Sequence, residues 1–184
     1  MKSYLRKLFF LLQILLLTAC GAKPAIERYE LIPYQDPAGI FRMPYPEDWQ
    51  VEYNDATQTA TFAPPVQVDE VHPLVIRAVA QKTASETWDE SGEEINMIFE
   101  EFLRAYFPDE SPEIYLTDDL RVGKEPALVM EFAQPYEDGY FKGSIVLVVL
   151  RGYAIGFIGS AVGDAWDSFK PTFKQMLLDV EFLE

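Results

Sequence analysis

Side chains that bind transition metals or act as nucleophiles are scarce in this chain of 184 residues. It contains a single histidine, His72, and a single cysteine, Cys20. One histidine without a second histidine or another cysteine does not form a typical zinc or copper site. The serines have only His72 as a conventional general base, and none of them lies in a Gly-x-Ser-x-Gly elbow. We therefore interpret His72 as an exposed loop residue and expect the protein not to be an enzyme.

The lack of a second cysteine excludes an intramolecular disulfide. The stability of the domain must therefore come from its apolar core, for which aromatic residues, 14% of the chain, supply material. The Gly-x-Gly-x-x-Gly and P-loop patterns that bind nucleotides are absent too. We expect no cofactor.

Basic residues are few as well. The chain has 15 Lys and Arg residues and 30 Asp and Glu residues, which gives a net charge of −15. Such a surface repels phosphate backbones and anionic headgroups, so we expect no nucleic-acid partner. We interpret the acidity as a source of solubility, and binding of a cation or of a basic partner is the alternative.

The first 20 residues have the organisation of an export signal. Three cations within residues 1–7 precede an apolar run over 8–17, and the run ends at Leu17-Thr18-Ala19-Cys20. A basic start, a short apolar stretch and small residues before a cleavage point are typical of a secretory signal. The apolar run spans about 10 residues, whereas a membrane-spanning helix needs about 20. We predict that residues 1–19 are a signal peptide, whose removal leaves 12 basic and 30 acidic residues and a net charge of −18.

The tetrad that ends at Cys20 resembles the lipobox of bacterial lipoproteins. In that family the cysteine thiol receives a diacylglycerol, the chain is cut just before it, and the new amino end is acylated. The resemblance implies that Cys20 carries lipid and that residues 20–28 form a tether. Two or more acyl chains anchor a protein stably, whereas one binds only marginally. The alternative is an ordinary signal peptide that leaves Cys20 as a free or buried thiol.

Residues 29–184 show the periodicities of one α+β domain. Alternation and apolar runs predict strands, of which the first three form a meander, at 40–45, 49–53, 57–63, 73–80, 114–122, 127–133, 140–150 and 153–160. The Asp138-Gly139 pair predicts a hairpin between 127–133 and 140–150. The stretch Ser144–Leu150 is apolar at nearly every position, which indicates a central strand buried on both faces.

Two helices complete the prediction. Ser91 and Glu94 have the spacing of a capping box that opens a helix over 91–107, with an apolar stripe at Ile95, Ile98, Phe99, Phe102, Leu103 and Tyr106. Asp164 is predicted to cap a second helix over 165–179, which becomes regular only after Pro171. A strand that is apolar on both faces needs cover on both sides. We therefore predict an α/β/α sandwich with a central, mostly antiparallel sheet and helices on both faces.

Three segments resemble PsbP-like domains. Residues 36–49 (DPAGIFRMPYPEDW) are similar to their Gly-x-Phe strand followed by Tyr-Pro-x-x-Trp. Residues 122–127 (VGKEPA) are similar to their Gly-x-x-Ala entry into the central hairpin, with three residues here between the glycine and the alanine. Residues 169–182 resemble their closing helix and last strand, and Trp49 and Trp166 match family positions in the core, so the resemblance implies that both are buried. The resemblance spans residues 29–184 and implies an α/β/α sandwich. It also implies an assembly or binding role rather than catalysis, because the family includes extrinsic subunits of the photosynthetic oxygen-evolving complex and many bacterial lipoproteins.

Acidic pairs and one tryptophan remain as candidate site residues. The adjacent pairs are Glu93-Glu94, Glu100-Glu101, Asp109-Glu110, Asp118-Asp119 and Glu137-Asp138. None has the alternate spacing of an EF-hand loop, and we interpret them as solvated surface. Asp118 and Asp119 are the candidate cation ligands, because they interrupt a strand-like run. Trp88 lies in a polar link over 83–92 and is a candidate partner contact.

These features predict an extracytoplasmic lipoprotein of the cell envelope. Lipid on Cys20 holds it at the outer face of a membrane, where it acts as a non-enzymatic protein-binding or complex-assembly module with a protein partner. An envelope lipoprotein that binds a cation or a small ligand is the alternative. An enzyme with an unfamiliar site is the third hypothesis.

Overall fold

Alternating apolar side chains build most of this protein into antiparallel β-structure. The computed structural model describes residues 29–65, 74–87, 94–101, 104, 113–117, 120–136 and 139–183. In chain order the strands are β1 (Leu31–Gln35), β2 (Phe41–Pro46), β3 (Gln50–Asn54), β4 (Thr59–Ala63), β5 (Leu74–Lys82), β6 (Glu113–Thr117), β7 (Arg121–Val122), β8 (Glu125–Pro126), β9 (Leu128–Tyr136), β10 (Gly139–Leu150), β11 (Tyr153–Val162) and β12 (Glu181–Phe182). In those ranges two helices accompany them, α1 (94–101, with residue 104 also helical) and α2 (Asp164–Leu178).

The central element is a seven-stranded antiparallel sheet with the order β3-β4-β5-β11-β10-β9-β6. β10 lies between β11 and β9, where Val146 pairs with Phe157 on one side and with Val129 on the other. Every residue from Ile145 to Val149 is buried. The predictions of a central strand buried on both faces, and of the hairpin that joins it to 127–133, are confirmed.

The side chains of β10 alternate between two apolar cores, because successive residues of a strand point to opposite faces. The larger core contains Val148 together with Phe173 of α2. The smaller core contains Leu147 together with Ile95 of α1. A helix along the whole of this second face stays a prediction, because much of the 91–107 segment lies outside the described residues.

One predicted strand neighbour is wrong. The sequence pattern predicts that 40–45 and 49–53 are adjacent in a meander, but β2 pairs with β1 and β12 in a separate three-stranded sheet. Phe41 and Met43 of β2 are buried in the larger core, so this small sheet forms a further layer that contacts α2. Alternation indicates that one face of a strand is buried, but it does not select the sheet that the strand joins.

Helix α2 departs from the prediction in two ways. Asp164 is its first residue rather than its cap, and the N-cap position is taken by Gly163, which makes no side-chain hydrogen bond. The helix also runs without interruption through Pro171. Pro171 and Asp167, whose carbonyl would accept the missing N–H bond, are both exposed. Buried side chains before and after the proline hold the helix against the core, and this packing overrides the local preference.

The segment predicted as one strand over 114–122 is two elements, β6 in the large sheet and β7 in a short hairpin with β8. Residues 118–119 between them lie outside the described residues. The β7–β8 turn approaches the end of α2, where Gly123 donates its N–H to the Leu177 carbonyl at 2.8 Å.

The predicted α+β class and the mostly antiparallel sheet are confirmed. Within the described ranges, no helix is both long and apolar enough to cross a membrane.

Candidate functional site

A small cavity opens at one end of the large sheet, where three segments that are distant in the sequence meet. It has a volume of about 230 Å³ and is lined by 38–40, the β10–β11 hairpin and 182–183. Its walls have somewhat more apolar than polar surface and include Ile155 and the ring of Tyr153. Among the residues that line the cavity, Arg151 carries the one charge. The cavity therefore combines an apolar body with a single cation.

The first wall is a turn organised by Asp36. The order Asp36-Pro37-x-Gly39 is the one that a type I turn favours, and the Asp36 carbonyl accepts the N–H of Gly39 at 2.9 Å. The Asp36 carboxylate accepts the N–H of Ile40 at 3.2 Å. Only 4% of Asp36 is exposed. Its carboxylate thus stabilises the turn that forms the wall and does not itself line the cavity.

The second wall is a two-residue hairpin turn with an unusual occupant. Arg151 and Gly152 both have positive φ, at 54° and 73°, as a type I′ turn requires. This position favours Asn, Asp or Gly, and a residue with a long side chain loses about 1–2 kcal/mol there. Arg151 therefore occupies a strained conformation, and residues in such conformations are frequent at functional sites.

Three hydrogen bonds hold this turn in place. The N–H of Arg151 donates to the Glu86 carbonyl at 2.6 Å, and the Gly152 carbonyl accepts the N–H of Thr83 at 2.9 Å. The Nη1 of Arg151 donates to the Leu183 carbonyl at 2.5 Å. The guanidinium is therefore fixed at the rim of the cavity, yet the residue remains exposed to solvent. An arginine has five N–H donors, so one bond to Leu183 leaves donors for a ligand.

The 83–86 loop connects the turn to helix α1 through Glu94. The Glu94 carboxylate accepts hydrogen bonds from the hydroxyls of Ser85 and Thr83 and from the N–H of Ala84, the last at 3.1 Å. The bond from Ser85, followed by those from Thr83 and Ala84, holds the pKa of Glu94 below its ordinary value. Its ionised form therefore links α1 to the loop that positions Arg151.

Tyr34 places a further polar group near the Asp36 turn. Its hydroxyl is buried and has no hydrogen-bond partner in the part of the chain that the structure describes. Burial, followed by the charges of Asp36 and Tyr53, raises the pKa of Tyr34 well above its ordinary value. The phenol stays neutral in any physiological pH range. It does not line the cavity.

The cavity walls lack the groups that acid–base or metal chemistry would need. They contain no carboxylate and no histidine, so Arg151 has no acid–base partner there. Elsewhere in the described ranges, no three His, Cys, Asp or Glu residues cluster closely enough to hold a metal ion. What this arrangement can do chemically is bind an apolar group and hydrogen-bond an oxygen through the guanidinium.

The structure does not test the residues that sequence patterns single out for lipidation, partner contact or cation binding. Cys20, His72, Trp88, Asp118 and Asp119 all lie outside the described residues. Their roles stay predictions.

Other sequence predictions are tested directly. Trp49 and Trp166 are buried, as the family resemblance implies, and the Trp49 ring stacks on Phe169 with centroids 5.1 Å apart. Glu100 is exposed and pairs with Arg104 at 3.1 Å, which agrees with a solvated surface.

The interpretation of Glu94 as solvated surface is wrong. Its side chain is partly buried and takes three hydrogen bonds from the 83–85 segment. Its expected capping partner Ser91 lies outside the described residues. The Glu94 carboxylate accepts these bonds because the hydroxyls of Thr83 and Ser85 and the N–H of Ala84 all lie within hydrogen-bonding distance of it.

The sequence pattern predicts a turn at Arg151-Gly152 but does not indicate a functional role for Arg151. The available signal was the residue type. A two-residue hairpin turn before Gly normally begins with Asn, Asp or Gly, so an arginine there is an exception that local structure does not explain.

The fold can be compared with solved structures. No protein-family model matches the chain, and no curated protein matches it. The solution structure of cyanobacterial PsbP from Synechocystis sp. PCC 6803 superposes with a TM-score of 0.61 over 89% of this chain and 99% of that chain, at 14% identity. This chain has a PsbP-like fold.

Two further solved structures are similar to this chain. LpqN, described as involved in cell envelope biogenesis of Mycobacterium tuberculosis, has a TM-score of 0.56 and 11% identity, over 84% of this chain and 91% of that chain. A point mutant of the protein Mog1 has a TM-score of 0.55 and 7% identity, over 84% of this chain and 97% of that chain. At such identities the likeness shows the fold alone.

Proposed function

We propose that this PsbP-like chain is a non-enzymatic binding or assembly module, held by lipid on Cys20 at the extracytoplasmic face of a membrane. The observation that carries the proposal is the combination of the PsbP-like fold with a lipobox-like tetrad that a short tether separates from it. LpqN, an envelope-biogenesis protein, shares the fold. The proposal therefore places the domain in the cell envelope.

The charge of the domain supports a protein partner rather than the lipid surface. After removal of residues 1–19 the chain carries 12 basic and 30 acidic residues. A domain with this net charge is repelled by anionic headgroups, so lipid on Cys20 has to supply the attraction to the membrane. The folded surface is then left to contact a partner beside or above the bilayer.

We extend the proposal to the sandwich form of the fold, with α1 covering the second face of the sheet. Ile95 and Phe99 share the smaller core with Ile145 and Leu147. The hydrogen bonds that Glu94 accepts from the 83–85 segment support this position of the described part of α1.

The anchor is tested by Cys20→Ser in cells fed a labelled fatty acid. The variant should lose the label and leave the membrane fraction, because serine has no thiol for the lipid. Gln13→Leu is the matched control, since it lengthens the apolar run without changing the tetrad, and it should keep the label. Labelling of Cys20→Ser would contradict the anchor.

The binding role is tested by purification of the tagged wild type from crosslinked membranes. We expect a protein to co-purify, and Trp88→Ala to reduce its yield. Tyr140→Ala is the control, because Tyr140 is another aromatic with 50% of its surface exposed. If no protein co-purifies with the wild type, the binding role loses its support.

The alternative, a cation-binding lipoprotein, makes a different prediction. If Asp118 and Asp119 bind a cation, millimolar calcium or manganese should raise the melting temperature of the wild type and not that of the double Asp→Asn variant. Our proposal expects the same melting temperature with and without either metal.

A further inference from the structure

We propose that the cavity at Arg151 is a binding site for a small amphiphilic carboxylate, whose apolar part fills the cavity and whose carboxylate pairs with the guanidinium. The proposal is independent of the lipid anchor and of any protein partner. It rests on the volume of the cavity, the character of its walls and the placement of Arg151.

The volume sets the size of the ligand. A cavity of about 150 Å³ holds one benzene molecule, so the cavity of about 230 Å³ accommodates a chain or ring of roughly eight to ten carbons. This is smaller than the pockets of about 300–1,000 Å³ that hold drug-sized ligands. A folded partner could insert no more than one side chain, and a small molecule fits better.

The walls set the chemistry. Leu150, Ile155 and Phe182 present apolar surface, which favours a hydrocarbon part that leaves water. Arg151 stands at the rim with one bond to the Leu183 carbonyl. A planar guanidinium matches a carboxylate with two parallel hydrogen bonds. The ligand is therefore an anion with its charge at one end.

The position of Arg151 in the turn indicates that its side chain has a function. The turn would form more readily with Asn or Gly, yet the chain holds an arginine with φ of 54° there. The protein has a large excess of acidic residues, and the carboxylate of Glu86 lies 3.5 Å from where a Cβ on Gly152 would be, but Glu86 does not line the cavity. Arg151 is therefore the local cation that faces the apolar walls.

Arg151→Gly is the decisive variant, because glycine suits the turn. Its thermal unfolding midpoint should equal or exceed that of the wild type, so loss of binding would not come from loss of folding. Ala38→Phe is a second variant that fills the cavity and leaves the charge in place. Lys124→Ala is the control, since it removes one exposed cation from the β7–β8 turn, which does not line the cavity.

The probes are octanoate, octanol and acetate, titrated into the wild type and the three variants by calorimetry and by NMR. We expect octanoate to bind the wild type and Lys124→Ala equally. Its affinity should fall at least about tenfold in Arg151→Gly and in Ala38→Phe. Octanol should bind about tenfold more weakly than octanoate, which corresponds to about 1.4 kcal/mol, and acetate should not bind.

Several results would overturn the proposal. These are equal binding of octanoate by the wild type and Arg151→Gly, equal binding of octanol and octanoate, and no binding of octanoate by the wild type. A peptide with a carboxy-terminal leucine is included as a competitor. If it binds more tightly than octanoate, the site recognises chain ends of proteins and not small carboxylates.

Discussion

Gly123 donates its backbone N–H to the carbonyl of Leu177 at 2.8 Å, so a turn between two short strands satisfies a carbonyl at the end of helix α2. The turn residue has φ of 56°, and a Cβ at this position would lie 2.4 Å from the Val180 carbonyl oxygen. Glycine is needed here for both its conformation and its size. This contact is a physical reason for the turn within residues 122–127 to lie beside the end of helix α2.

Gly123→Ala should lower the free energy of unfolding by about 2–4 kcal/mol, because alanine adds backbone strain and a collision with the Val180 carbonyl. Gly39→Ala is the control. Gly39 has φ of 72°, but a Cβ at this position would have nothing within 4 Å, so the backbone strain alone should lower stability by about 1 kcal/mol. Urea denaturation of both variants measures the difference. Equal losses would contradict the close contact.

Pro171→Ala tests the continuity of helix α2. Alanine restores an N–H that can donate to the Asp167 carbonyl, and it removes the proline ring from the helix interior. We expect the free energy of unfolding to rise by about 1–3 kcal/mol. If the helix began only after residue 171, the proline would lie at its first turn, where it is tolerated. The substitution would then bring no gain.

Glu94 should make folding stability depend on pH in the acid range. Hydrogen bonds from Ser85, Thr83 and Ala84 hold its pKa below the ordinary value of 4.5. The folded state therefore binds the proton less readily than the unfolded state. This contribution is complete above the unfolded pKa and is lost as the pH falls through the folded one.

Denaturation of the wild type and Glu94→Gln between about pH 6 and pH 3 measures this contribution. We expect the wild type to lose stability more steeply than Glu94→Gln as the pH falls. Glu100→Gln is the control, because the ion pair of Glu100 with Arg104 is exposed. It should follow the wild type closely. Parallel curves for the wild type and Glu94→Gln would show that the three hydrogen bonds contribute nothing.

The parts of the fold that follow from sequence are those that depend on local pattern. The apolar run at 144–150 requires burial on both faces and becomes β10, the buried strand between β11 and β9. The hairpin predicted from Asp138-Gly139 joins β9 to β10, although Gly139 itself is the first residue of β10 and pairs with Tyr136. Trp49 and Trp166 are buried, as their family positions imply.

The parts that do not follow depend on contacts between distant segments. The alternation over 40–45 is equally compatible with either sheet, and the sheet that β2 joins depends on β1 and β12, which pair with it on its two sides. Helix α2 passes Pro171 because core packing outweighs a local preference, and packing is not visible in one window of sequence. Glu94 likewise finds its hydrogen-bond donors about ten residues earlier in the chain.

The candidate site is the least predictable feature for the same reason. Its walls come from 38–40, 150–155 and 182–183, which no spacing rule connects. Arg151 is chemically informative only once its positive φ and its bond to Leu183 are known. Sequence motifs instead single out Cys20. Its predicted lipidation depends on the succession of basic, apolar and small residues before it and not on tertiary contacts.

The intact mass of the protein purified from membranes tests the central claim most directly. The account predicts a chain that begins at Cys20, lacks residues 1–19 and carries the added mass of a diacylglycerol, with or without an acyl group on its amino end. A chain that retains residues 1–19, or one that begins at an unmodified Cys20, would contradict the claim that lipid holds this PsbP-like domain at the membrane.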